Sequence, residues 1–258
     1  MSIAVQTSLA CWPGFTHLQA ARAAMQGASE PVLGSLRTDH VQLVPQCFDV
    51  LDESLAKALA RAWPQTRFRL HANVRVLTRR RQADLCTFER DLDWFEAAAR
   101  VHRLLGACVY SAHAGLRRDA TLAALFDNTR RCADLFDSPV AIEGQYPTTG
   151  ADPHRFLLST WSEYQSLLES GLPFALDLSH LNILAFRTGQ RNETLVAEML
   201  CSPACLEVHI SDNDGRGDSH QVLRRKPWWW PLLSRIGPAA VVFSEGNHRR
   251  YIEESPPS

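Results

Sequence analysis

No stretch of about 18 apolar residues occurs in the 258-residue chain, so a membrane-spanning helix is not expected. Neither sign of charge dominates: 27 Lys and Arg stand against 28 Asp and Glu, a net charge of -1. That balance gives no global pull toward nucleic acid. The start, Met1-Ser2-Ile3-Ala4-Val5-Gln6-Thr7, lacks the basic and long apolar segments of a secretory signal, so a cytoplasmic location is expected. The seven cysteines, Cys11, Cys47, Cys86, Cys108, Cys132, Cys201 and Cys205, are odd in number and scattered, which argues against a disulfide scaffold. Cys201 and Cys205 lack a second pair at zinc-finger spacing and read as ordinary thiols. No glycine-rich phosphate turn follows the first strand-like run, which disfavours a doubly wound nucleotide-binding sheet. There is no internal repeat, low-complexity linker or composition break, so residues 1–258 read as a single domain.

What is present is an alternation. Short apolar runs of strand type cover residues 2–7, 39–44, 67–71, 107–113, 139–143, 173–177, 206–210 and 239–245. Amphipathic helical segments fall between them, around residues 18–25, 52–62, 91–105, 121–135, 161–170, 193–200 and 228–236. In the 91–105 segment Trp94, Ala98, Val101 and Leu105 share one face. The strand runs are continuously apolar, as strands covered on both faces must be. Eight such units in about 250 residues predict an α/β fold, a (β/α)8 TIM barrel. Thirteen residues follow Glu245, which leaves the last helix short or missing.

The polar residues at the strand tips carry the chemistry. Reading the C-terminal ends in order gives His71, His113, Glu143, Asp177, His209 and Glu245. His180 follows Asp177 by three residues, and Asp218 and His220 lie in the polar loop after His209. A lone tip histidine or aspartate is ordinarily a cap or a core residue. Six of eight tips bearing metal-type residues point instead to one site, because in a barrel these ends form a single ring. Imidazoles and carboxylates crowded into a dry mouth need a cation, and this donor set suits Mn, Fe or Zn. Arg216, His248 and Tyr146 are placed to contact a substrate.

The pieces Leu70-His71, Ala112-His113-Ala114-Gly115, Ala141-Ile142-Glu143, Asp177-Leu178-Ser179-His180, Val208-His209-Ile210-Ser211-Asp212, Asp218-Ser219-His220 and Phe243-Ser244-Glu245 resemble the xylose isomerase-like TIM-barrel superfamily. That superfamily includes sugar phosphate isomerases and epimerases and the endonuclease IV family. The resemblance runs from about Arg67 to Glu245 and implies one to three divalent ions per chain. In a three-metal arrangement His71, His113 and Glu143 would hold one ion. Glu143 would bridge to a second held with Asp177, His209 and Glu245, and His180, Asp218 and His220 would hold the third. A one-metal isomerase or epimerase would use the middle set, with Glu143 and Glu245 also serving as catalytic acid and base.

The resemblance therefore implies a metal-dependent isomerase or epimerase of a small sugar-like hydroxy-carbonyl compound. Its alternatives are a multinuclear non-haem iron oxygenase that modifies a peptide, and an endonuclease IV-like multi-metal phosphodiesterase. The neutral net charge disfavours a nucleic-acid partner, although Thr78-Arg79-Arg80-Arg81 and Arg224-Arg225-Lys226 form local basic loops. A small-molecule substrate is expected, no membrane partner is, and a homo-oligomer is compatible with this reading.

Overall fold

A strand that is apolar on both faces needs cover on both, and helices wrapped around a closed parallel sheet supply it. The computed structural model describes residues 3–150 and 152–254. Its strands are β1 (Val5–Ser8), β2 (Ala28–Glu30), β3 (Gly34–Leu43), β4 (Arg67–His71), β5 (Tyr110–His113), β6 (Val140–Glu143), β7 (Phe174–Asp177), β8 (Cys205–Ile210) and β9 (Val241–Ser244). Among the described residues all but β2 run parallel and pair in chain order, and β1 closes the barrel between β9 and β3.

The helices are α1 (His17–Met25), α2 (Glu53–Ala62), α3 (Leu92–Leu105), α4 (Leu122–Phe136), α5 (Trp161–Ser170), α6 (Leu178–Thr188), α7 (Glu193–Cys201) and α8 (His248–Glu254). Local chemistry starts and stops them. The side chains of Asp52, Thr121, Thr160 and Asn192 each accept from an N–H of the first turn they precede. Gly106 and Gly171 end α3 and α5 in the left-handed region, at φ 61° and 67°. The expected stripe Trp94, Ala98, Val101 and Leu105 is the buried face of α3.

Four local features differ from the sequence expectation. Residues 28–30 fold back antiparallel on residues 34–36, so the strand expected from Asp39 begins at Gly34. Gly34, at φ +74°, makes that turn. Helix α6 follows β7 without a gap, because Asp177 ends the strand and caps the helix with one carboxylate. The helix expected over residues 228–236 is a 3-10 turn, Trp230–Arg235, with Pro231 near its start. The strand expected from Ala107 is regular only from Tyr110. Helix α8 covers 7 of the described residues, and no described helix is long and apolar enough to cross a membrane.

Packing against the barrel buries three histidines outside the mouth among the described residues, His17, His102 and His248. His102 on α3 is 1% exposed and meets Phe136 edge-on at 5.3 Å, and neither ring nitrogen has a hydrogen-bond partner among the described residues. Burial, with Arg103 beside it, lowers its pKa from 6.5 to about 4. The folded chain therefore binds fewer protons than the unfolded chain between these values. Stability is fully present above pH 6.5 and falls as the pH drops toward 4. The expected loss is up to about 3 kcal/mol. Urea unfolding at pH about 7 and about 4 checks this. The native chain should lose up to about 3 kcal/mol more than His102→Leu, and equal losses would refute a buried neutral imidazole.

Candidate metal centre

Parallel strands deliver all their C-terminal ends to one rim, and the pleat turns alternate side chains inward. His71, His113, Glu143 and Asp177 are the last residues of β4 to β7; His209 is next to last in β8, and Glu245 directly follows β9. In register, His113 lies beside Glu143 and Asp177 beside His209. His71, His113, Glu143, Asp177 and Glu245 line a cleft of about 120 Å³, and His209 lies buried behind Glu143 and Glu245. His180, Asp218 and His220 line the same cleft, as do Gln46, Gln145 and Tyr146.

Glu143 is the hub. Its Oε2 lies 2.8 Å from His71 Nε2 and 3.4 Å from His209 Nδ1. Its Oε1 lies 3.7 Å from both His113 Nε2 and His180 Nδ1. Glu245 reaches His209 Nδ1 at 3.8 Å and His220 Nδ1 at 3.5 Å. A second knot forms around Asp218 Oδ2, with His220 Nε2 at 3.0 Å and His180 Nε2 at 3.4 Å. Asp177 Oδ2 joins it at 3.3 Å from His180 Nε2, while Asp177 Oδ1 accepts from the Ser179 and His180 N–H groups. All nine expected ligand positions therefore meet at this mouth.

The loop that carries Asp218 and His220 is held at its base and its apex. Asp212 and Gln221 exchange two backbone hydrogen bonds, at 2.7 and 2.9 Å. Asn213 donates to Ser179 O, and its own Oδ1 accepts from Asn182 and from Gly215 N. A side chain at Gly215 would collide with the ring of Phe186, so the loop packs directly on α6.

The electrostatics follow from burial opposed by charge. Burial raises the Glu143 carboxyl, but His71, His209 and His113 hold it well below the ordinary carboxylate range. Burial acts the other way on the imidazoles, yet Glu245 and Glu143 push His209 well up. Asp177, Asp218 and Glu143 push His180 up to about 10, and Asp218, Glu245 and Asp177 push His220 up to about 9. Glu245 is raised by burial, which outweighs His209, His220 and His71. The mouth thus needs positive charge. Protons on the imidazoles are one source; a divalent cation is another, and its binding releases those protons.

The donor set fits such a cation. The Nδ1 atoms of His209 and His220 are buried without a hydrogen-bond partner, and each faces carboxylate oxygens within 3.8 Å. The groups His71–His113–Glu143, His71–His209–Glu245 and Glu143–Asp177–His180 each bring three donor atoms within 4.8 Å of one another.

One layer below the rim is a set of residues that the tip pattern did not single out. Glu207 is fully buried, and its Oε2 lies 3.0 Å from His209 Nε2. Gln42 donates to the same oxygen, and Arg69 Nη1 donates to Glu207 Oε1 at 3.1 Å. Gln42 Nε2 also lies 2.9 Å from His209 Nε2, so Glu207 and Gln42 together occupy that nitrogen and leave Nδ1 facing the mouth. The signal lay in the strand period: Arg69 and Glu207 precede His71 and His209 by two, so each pair shares a face. Asn73 plays a related part beside His113. Its Nδ2 donates to Asp84 Oδ1 at 2.9 Å, and Asp84 Oδ1 lies 3.7 Å from His113 Nδ1.

The substrate-contact candidates divide. Tyr146 is in the cleft, its ring 4.7 Å from His180. Arg216 does not line the cleft; it is exposed, and its carbonyl accepts from Arg187. His248 also lies outside the lining, buried against Glu30 at 3.0 Å because α8 turns it back onto β2.

No family model and no curated protein sequence matches the chain. Solved structures do. A D-tagatose 3-epimerase-like protein aligns with TM-score 0.64 and 14% identity over 98% of this chain and 96% of its own. The IOLI protein with a bound zinc atom aligns with TM-score 0.62 and 13% identity, covering 97% and 91%. An AP endonuclease, family 2, from Brucella melitensis aligns with TM-score 0.61 and 19% identity, covering 95% and 93%. With its eight parallel strands closed into one ring, the chain has the fold of the xylose isomerase-like TIM-barrel proteins.

Proposed function

We propose that the chain is a divalent-metal-dependent isomerase or epimerase of a small sugar-like hydroxy-carbonyl compound. The observation that carries this reading is the pair of buried carboxylates, Glu143 and Glu245, which approach His209 Nδ1 from two strands at 3.4 and 3.8 Å. Moving a proton at a carbon beside a carbonyl needs one group to take it and another to return it. Glu143, Asp177, His209 and Glu245 would hold an ion that polarises the carbonyl and its neighbouring hydroxyl and so acidifies the C–H between them. One glutamate removes that proton and the other returns it. Tyr146 covers the site and, with Gln46 and Gln145, offers hydrogen-bonding groups to hydroxyls.

The cleft supports a small ligand. Its volume of about 120 Å³ lies well below the roughly 300–1,000 Å³ of a drug-sized pocket. That favours a compact polar compound over the peptide of an oxygenase. Epimerase-like and zinc-bearing proteins of the same fold agree with a metal and a sugar-like substrate. A second reading rests on the His180–Asp218–His220 knot, which a one-metal enzyme does not need. Three ions there would suit phosphodiester hydrolysis.

The deciding measurement joins metal content to isotope exchange. Chain purified without chelator should carry a divalent ion and place solvent deuterium at the carbon beside the carbonyl of a ketose in D2O. Three zincs, hydrolysis of a phosphodiester and no deuterium uptake would replace this reading with the second. Chelation should remove the exchange and lower the Tm, since an ion bound only to the folded chain stabilises it.

Glu245→Gln keeps the shape of the site and removes its titration. Exchange should fall by about 10²–10⁴-fold with an unchanged circular dichroism spectrum. An exchange rate within about threefold of the native chain would sink the acid–base role.

Glu207→Gln tests the layer beneath. Metal affinity, read by competition with a chromophoric chelator, should weaken by about 10–100-fold while the barrel stays folded. An unchanged affinity would show that His209 does not depend on Glu207.

A further inference from the structure

A second donor cluster lies behind the mouth, and none of its members lines the cleft. Cys11, Glu30 and His248 each offer a donor atom, and these atoms lie within 4.8 Å of one another. All three residues are buried, at 0%, 3% and 6% exposure. They come from separate parts of the chain: the turn after β1, the end of β2 and the start of α8. Glu30 Oε1 accepts from Ser244 Oγ and faces His248 Nε2 at 3.0 Å. Glu30 Oε2 is buried with no hydrogen-bond partner. The Cys11 thiol donates to Ser244 O at 3.3 Å, and Trp12 packs on the His248 ring with centroids 5.5 Å apart.

We propose that Cys11, Glu30 and His248 form a second, sulfur-containing site for a zinc-class divalent cation, separate from the all-nitrogen-and-oxygen centre in the mouth. A thiolate, an imidazole and a carboxylate are zinc donors, with bonds of about 2.0–2.3 Å. Donors around one such ion lie roughly 3–4 Å apart, so small side-chain rotations bring this group to coordination distance. The charges balance. The Cys11 S–H bond breaks, its proton passes to solvent and an S–metal bond forms. One thiolate and one carboxylate then neutralise a divalent ion, with neutral His248 as the third ligand. The unpartnered Glu30 Oε2 gains a use as the fourth donor.

The consequence is structural. The ion would tie the β1 turn, the added β2 hairpin and α8 to one point behind Ser244, the residue before Glu245. It is not required by the proposed chemistry and stands or falls separately from it.

Cobalt(II) spectroscopy on the metal-stripped full chain tests the site. The mouth has no sulfur donor, so cobalt there gives only weak visible bands, whereas a thiolate ligand adds an intense near-ultraviolet charge-transfer band. The band should appear in the native chain, persist in His209→Ala, which disables the mouth, and vanish in Cys11→Ser. Its absence at saturating cobalt, or its survival in Cys11→Ser, would overturn the proposal. X-ray absorption serves if Cys11→Ser does not fold. With His209→Ala as the zinc-loaded sample, a sulfur shell at about 2.3 Å is expected, and a shell of only nitrogen and oxygen overturns the assignment.

Discussion

The carboxylate of Glu143, almost wholly buried among His71, His209 and His113, sets the terms for the rest of the barrel mouth. A carboxylate withdrawn from water is costly unless positive charge stands beside it. Its neighbours Asp177, Asp218 and Glu245 add to the same demand, and five imidazoles are arranged to meet it. Such a cluster is intolerant of partial loss. Removing one member of a buried ion pair leaves its partner uncompensated, typically at about 3–5 kcal/mol. The mouth therefore needs a support that holds every member in place, whether protons or a metal ion supply the balancing charge.

That support is layered. Beneath His209, Glu207 is held by Arg69 and Gln42, so an ionic layer is buried inside the barrel below the first. Beside the mouth, Asp177 closes β7, caps α6 and meets His180 with a single carboxylate. This double use ties the start of α6 to the strand end and fixes where His180 stands. The loop after β8 is packed on α6 through Asn213 and Gly215, which sets Asp218 and His220 against His180. The geometry of the second knot thus depends on the same helix start that Asp177 organises.

The barrel and the tip residues were legible because they rest on short-range rules. An apolar run marks a strand covered on both faces, and the residue ending it lies on a predictable rim. The features that escaped notice rest on longer-range or overlapping causes. The β2 hairpin is three residues long and polar, with its pairing set by the turn at Gly34. Helix α6 is hard to see in the sequence because its cap, Asp177, is also the tip of β7, with no turn residue between them. Glu207 stood in plain sight two residues before His209, but a glutamate inside an apolar strand shows its purpose only once Arg69 is found across the barrel. His248 follows Glu245 by three residues and invited a place in the cleft, yet the start of α8 turns it to Glu30 instead.

That turn gives the end of β9 two faces. Glu245 points into the mouth, toward His209 and His220. Ser244 points the other way: its carbonyl accepts from Cys11, and its hydroxyl donates to Glu30 and accepts from Gly246 N. A side chain at Gly246 would meet the Val222 backbone at 2.9 Å, so no bulk can enter between the strand end and the segment beyond His220. Adjacent residues of an extended strand project to opposite sides, so a ligand on one side is braced by whatever is fixed on the other. The position of Glu245 is then set from behind, by Cys11, Glu30 and His248, as well as by the imidazoles in front of it.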